Sequence, residues 1–255
     1  MKRHIRRLTL LTFAILAALV TLPLHGADND AGDLLRRLPG DTDAAWQLTN
    51  LDGHLARIRR LIPPEAAGRL KPDAWPAKTG IRRIVFGMRL PAPQSVGLIE
   101  LDEGVSVADF EATVTKTARV FGLGLESKKQ GDLRLLAPPG MPMGVWFKPT
   151  QHKGRTVLVA AIVPDRIAAF ENPAGGTLGE ADDFKAAWAR LAAAELTERP
   201  LLTFARGEAL APHVREGFGP ADRRGALLRS FAKMLAIDNL VFHTLAADLV
   251  GDRVA

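Results

Sequence analysis

Cysteine is absent from the 255-residue chain, and so is tyrosine. Without cysteine there are no disulfides, no thiolate metal ligands, no thiol nucleophile and no lipidated N-terminal cysteine. Only four serines occur, at 95, 106, 127 and 230. Long charge runs are missing too, and no G-x-S-x-G elbow, H-E-x-x-H or H-x-H spacing occurs.

One long apolar run is present. Lys2, Arg3, Arg6 and Arg7 precede Leu8 to Leu24, and His25-Gly26-Ala27 follow. Basic head, apolar run and small-residue exit have the form of a secretory signal peptide, residues 1–27, cleaved near Gly26 or Ala27. The run also stands at the lower length limit for crossing a bilayer, so an uncleaved anchor is the rival reading. In both cases the basic head stays inside the cell, and the rest is expected in the periplasm or outside. The first 27 residues hold four of the 34 Lys and Arg and none of the 28 Asp and Glu. The remainder therefore carries 30 basic against 28 acidic groups, a formal charge of +2. The full-length pI near 10.0 is thus largely a property of the leader, and no nucleic-acid footprint is expected. About 228 residues can bury a sizeable core without disulfides.

The residues after the leader alternate between strand and helix patterns. A strand is expected at about 44–49, with Trp46 and Leu48 on one side. Leu51, Leu55, Ile58 and Ile62 keep helical spacing up to Pro63-Pro64, and a short helix is expected around 65–70. In the strand 81–90, Ile84, Phe86, Met88 and Leu90 alternate with Arg83, Val85, Gly87 and Arg89. That pattern predicts one wet face and hence an antiparallel sheet. A strand at 95–101 follows. Ser106 caps a helix to about Phe121, with Asp109 at N3 and Val107, Phe110, Val114 and Phe121 facing inward. Strands come next at 123–127 or 133–137, then at 144–148 and 156–163, with Gln151-His152-Lys153-Gly154 as a hairpin turn. Pro164 opens a helix through Phe170. Gly175, Gly176 and Gly179 form a flexible linker rather than a phosphate loop. They lead to a helix on which Phe184, Trp188 and Leu191 share a face, and to a buried strand at 201–205. The fold class is α+β, a mainly antiparallel sheet with helices packed on one face.

A shift of 156 residues lays Trp46 on Leu202, Leu48 on Phe204, Pro64 on Pro220, and Ile84-Val85-Phe86 on Leu240-Val241-Phe242. The reading is an internal repeat of a strand–helix–helix–strand unit with an incomplete second copy. Residues 28–195 form the first unit and 196–255 a partial second unit packed into the same domain. The PGDTDAAW strand opening, the Thr177-Leu178…Phe184 helix opening and the strand after it resemble a family of bacterial exported, internally duplicated proteins known only as a domain of unknown function. The resemblance covers roughly 38–60 and 155–210. It implies an exported α+β protein and no site residues.

Each tempting motif has a structural reading that explains it. Asp28 to Asp33 has Gly32 where a calcium loop needs an oxygen ligand, and Pro39 where its bidentate glutamate would stand. Ser230-x-x-Lys233 with Lys78-Thr79-Gly80 has penicillin-binding elements in the wrong order and setting. His54, His152, His213 and His243 read as surface or capping groups. Asp41/Asp43 and Asp182/Asp183 belong to a turn and a helix start. Arg59-Arg60, Arg82-Arg83 and Arg223-Arg224 read as solvated edges. Trp46, Trp75, Trp146 and Trp188 read as core, and Phe147, facing opposite to Trp146, hints at an interaction surface. No residue is nominated as catalytic, cofactor-binding or metal-ligating, and no cofactor is expected. The sequence thus points to an exported non-catalytic scaffold or binding protein with an unknown protein or small-molecule partner in the cell envelope. A periplasmic hydrolase with a dispersed site and a membrane-tethered component of an envelope complex are the alternatives.

Overall fold

A computed structural model describes residues 32–62, 72–90, 94–141, 143–194, 196–197, 201–206, 209, 243–247, 249–250 and 253–254. The leader, the short helix expected at 65–70, His213, Arg223-Arg224 and the Ser230–Lys233 pair lie outside the described residues.

The elements are α1 (Asp33–Arg36), β1 (Ala44–Thr49), α2 (Leu51–Leu61), β2 (Ile81–Arg89), β3 (Gln94–Leu101), α3 (Val107–Val120), β4 (Glu126–Gln130), β5 (Leu133–Ala137), β6 (Val145–His152), β7 (Arg155–Ala161), α4 (Asp165–Glu171), α5 (Asp182–Ala193), β8 (Leu201–Ala205), β9 (His243–Ala247), β10 (Leu249–Val250) and β11 (Arg253–Val254). Nine strands form one sheet in the order β4-β5-β6-β7-β3-β2-β1-β8-β9, every neighbouring pair antiparallel. β10 and β11 pair separately. The α+β class and the antiparallel sheet stand as the alternation predicts. Both strands of the 123–137 stretch form, as a hairpin.

Helices cover both faces rather than one. On the first face Val157, Val159, Val85, Val96, Leu98, Ala45 and Phe204 pack with Leu34, Leu35 and Leu38 around α1, Ile167 and Phe170 of α4, and Phe184 and Ala187 of α5. On the second, Leu158, Ala160, Leu136, Phe147 and Leu101 pack with Phe110, and Val107 and Val114 of α3 lie against them. Adjacent residues of β7 thus enter opposite cores, as the two-residue period of a strand requires. This corrects the expected wet face of β2. Arg83, Val85 and Gly87 form its more buried side, while Ile84, Phe86 and Met88 are only half-buried. Gly87 is there because Leu38 presses on it, and a Cβ at that position would meet the leucine methyls at 2.9 Å.

Local chemistry sets the boundaries. Ser106 and Asp109 form the reciprocal capping box of α3, which satisfies two otherwise orphaned N–H groups. Lys153 and Gly154 both take positive φ in the two-residue turn between β6 and β7, the conformation that matches strand twist. The glycine segment at 175–179 is not a loose linker. The Gly40 N–H donates to the Gly176 carbonyl, the Leu178 N–H donates to the Leu38 carbonyl, and Thr177 and Glu180 make a second capping box. Phe121, expected inward, is exposed one residue past the end of α3.

Candidate functional site

Four places among the described residues gather chemistry. The first is a polar band on the first face of the sheet. Glu100 on β3 is 3% exposed and has Arg83 on β2 and Arg155 on β7 each at 3.4 Å, with Arg82 at 3.9 Å. The expectation of solvated arginine edges fails here, because Arg83 is itself 1% exposed. Register explains the cluster, since Arg83 sits directly opposite Glu100 and Val157 flanks it on the other side. One carboxylate therefore ties three strands together, which specifies their pairing more than it adds stability. Beside it the Gln47 side chain is fully buried with neither amide atom hydrogen-bonded.

The second place is His54 on α2. It is fully buried, not on the surface, and neither ring nitrogen has a partner in hydrogen-bond geometry. Burial pushes its pKa down. The nearby Thr49 backbone opposes that, and Arg57 adds to it. Enclosed in this way, the imidazole packs as part of the interior. His152 instead joins Asp33 at 2.7 Å, with Lys153 on the same carboxylate at 2.8 Å. Burial resists ionisation of Asp33, but the hydrogen bonds from Lys153 and His152 outweigh it and hold the carboxyl below its ordinary value.

The third is a shallow cleft of about 500 Å³ between residues 73–78 and α3, lined by Asp73, Trp75, Lys78, Thr113, Lys116 and Thr117 among others. Its wall is held from α2. Arg59 donates to the carbonyls of Trp75 at 2.7 Å and Pro76 at 2.6 Å. Asp52 accepts from the Thr79 N–H at 2.8 Å and hydroxyl at 2.6 Å. The Lys78-Thr79-Gly80 stretch thus serves to anchor a loop. Trp75 faces a cleft instead of filling a core.

The other paired acids are structural as well. Asp41 joins Arg89 and Arg166, and Asp43 accepts from the Leu90 N–H. Asp183 receives two hydrogen bonds from Arg206, whose guanidinium also reaches the Gly40 and Thr42 carbonyls. The hydrogen bond from Arg206 is the main reason the Asp183 carboxyl stays below its usual range. Among the described residues no group of three His, Asp or Glu side chains is placed to hold a metal.

The fourth place is apolar. Phe121, Leu123, Met141, Met143, Val145, Ile162 and Val163 are the exposed large hydrophobic side chains among the described residues, Met143 the most open at 76%. Three separated segments carry them, and the topology brings all three to one end of the sheet. Leu136 pairs with Val145 and Trp146 with Ala161, so Ile162 follows beside Val145. A Cβ on Gly124 would lie 3.7 Å from the Pro139 ring, which places the turn after α3 against the loop that carries Met141 and Met143. Sequence reasoning pointed one residue away. Phe147 is buried beneath α3 and Trp146 is half-covered on the opposite face, so the pair is core and the exposed surface begins at Val145. The available signal was composition. Residues 135–147 contain no charged, hydroxyl or amide side chain.

No family model, curated protein or solved structure matches this chain.

Proposed function

We propose that this chain is an exported, non-catalytic binding or scaffold protein of the cell envelope, which binds through the apolar end of its sheet. The observation that carries the reading is the convergence of seven exposed apolar side chains from three segments on that end. Folded monomers rarely leave a large contiguous apolar patch open unless something covers it. The leader-like N-terminus and the resemblance to exported proteins of unknown function support the compartment. The order β2-β1-β8-β9 supports the internal duplication, because the 156-residue shift relates β1 to β8, and those strands form the central antiparallel pair of that quartet. Among the alternatives, the apolar end favours a tethered envelope component over a hydrolase.

The test has two parts. Intact mass of the protein from separated soluble and membrane fractions of its native cells is expected to show an exported form, either shortened by about 27 residues or retained in the membrane. Met143→Glu with Ile162→Glu is expected to abolish its association with envelope components and leave thermal stability unchanged. A full-length cytosolic species, or turnover of a periplasmic substrate lost through one side-chain change, would overturn the reading.

A further inference from the structure

We infer that the apolar end inserts into the surface of a lipid bilayer, with the last turns of α3 facing anionic headgroups. The inference rests on the binding-surface reading above. What favours lipid over a protein partner is the chemistry of the three segments. The parts of these segments that lie outside the buried strands, 121–125, 138–145 and 162–164, contain no charged, hydroxyl or amide side chain. Protein interfaces of ordinary size carry about one hydrogen bond per 100–200 Å², and these segments offer almost no side chain to make one. Some backbone donors are missing or paired as well, because Pro138, Pro139 and Pro164 lack an N–H and the N–H groups of Gly122, Leu123 and Met141 donate within their own turns. Unpaired backbone groups are what exclude ordinary loops from apolar surroundings.

Two cations stand beside the apolar residues. Arg119, and Lys116 at the rim of the cleft that Asp73 also lines, are exposed on the half of α3 nearest the apolar end, and the acids exposed at its border are Glu126 and Asp165. Such cations add attraction to an anionic leaflet without entering it. Insertion to the boundary of headgroups and acyl chains covers Phe121, Leu123, Met141, Met143, Val145, Ile162 and Val163 and leaves the folded sheet in water. β4 carries the opposite composition. All five of its residues are exposed, Lys128 and Lys129 among them, so the sheet edge itself stays in solvent.

The absence of cysteine makes the test clean. In the full chain, Met143→Cys and, separately, Lys129→Cys are labelled with a polarity-sensitive fluorophore. Vesicles of phosphatidylcholine, with or without phosphatidylglycerol, are then added. The expected result is a blue shift at position 143 that is stronger with phosphatidylglycerol, and none at 129. Lys116→Gln with Arg119→Gln is expected to weaken partitioning into the anionic vesicles by about 30-fold. No blue shift at 143 with either vesicle overturns the inference, as does an equal shift at both positions. A shift at 143 produced only by solubilised envelope proteins, or only by raising the concentration of the chain itself, also overturns lipid insertion, but it leaves the binding surface standing. No shift under any of these conditions removes both.

Discussion

Lowering the pH from 7 to 5 should destabilise this protein through one buried imidazole. His54 is fully buried, and burial depresses its pKa below the ordinary 6.5 although the Thr49 backbone pulls the other way. A group whose folded pKa is depressed binds fewer protons in the fold than in the unfolded chain. Below pH 6.5 the unfolded state therefore gains protons that the fold refuses, and stability falls until the folded pKa is reached. The limiting slope is about 1.4 kcal/mol per pH unit for one group, so the loss by pH 5 is at most about 2 kcal/mol. The carboxylates act elsewhere on the scale. Asp33 and Asp183 have pKa values held below 3.8, so their contribution is complete above that value and is lost only at lower pH. Urea unfolding followed by tryptophan fluorescence at several pH values between 5 and 7 measures the slope. His54→Leu is expected to flatten it whatever the variant does to stability at pH 7. If wild type and His54→Leu lose stability in parallel over this range, the imidazole is not held neutral by burial and the reasoning fails.

Three substitutions probe the packing. Gly32→Ala forces a side chain into a left-handed backbone at φ 78° and into the Trp188 ring, so it should cost roughly 2 to 4 kcal/mol, read from the urea midpoint. Arg206→Ala removes a guanidinium that holds Asp183 and two carbonyls. It should cost roughly 2 to 3 kcal/mol after allowance for partial solvent screening, and Asp183→Asn should cost much less when Arg206 is already gone. Asp52→Ala leaves the Thr79 N–H and hydroxyl without their acceptor. About 1 to 2 kcal/mol of stability should be lost, with faster amide exchange at Thr79 as the local reporter.

Local signals carried most of the fold into the sequence. β1 and β8 begin and end where the apolar alternation does, and the Ser106–Asp109 box starts α3 where its spacing predicts. What stayed hidden was what only tertiary contact decides. Alternation in β2 identifies two sides but not which one is drier. Arg83 is inside because Glu100, two strands' worth of sequence away, sits opposite it. His54 looks like any polar residue of an amphipathic helix until neighbouring elements close over it. The candidate surface was half legible. Residues without polar side chains can be read off the chain, but in isolation they resemble buried strand. Only the register of β5, β6 and β7 shows that Met143, Val145 and Ile162 lie past the end of the core.

The pairing of β1 with β8 has a consequence for how the chain is made. Ala44 lies beside Ala205, so the first of the described strands to leave the ribosome meets one of its two partners only after most of the chain has followed. β2 arrives early and satisfies one side, while the other remains an open edge. Contacts this distant in sequence close slowly, and an unpaired edge invites the wrong strand in the meantime. Until β8 arrives, the outer edge of β1 is open to mispairing.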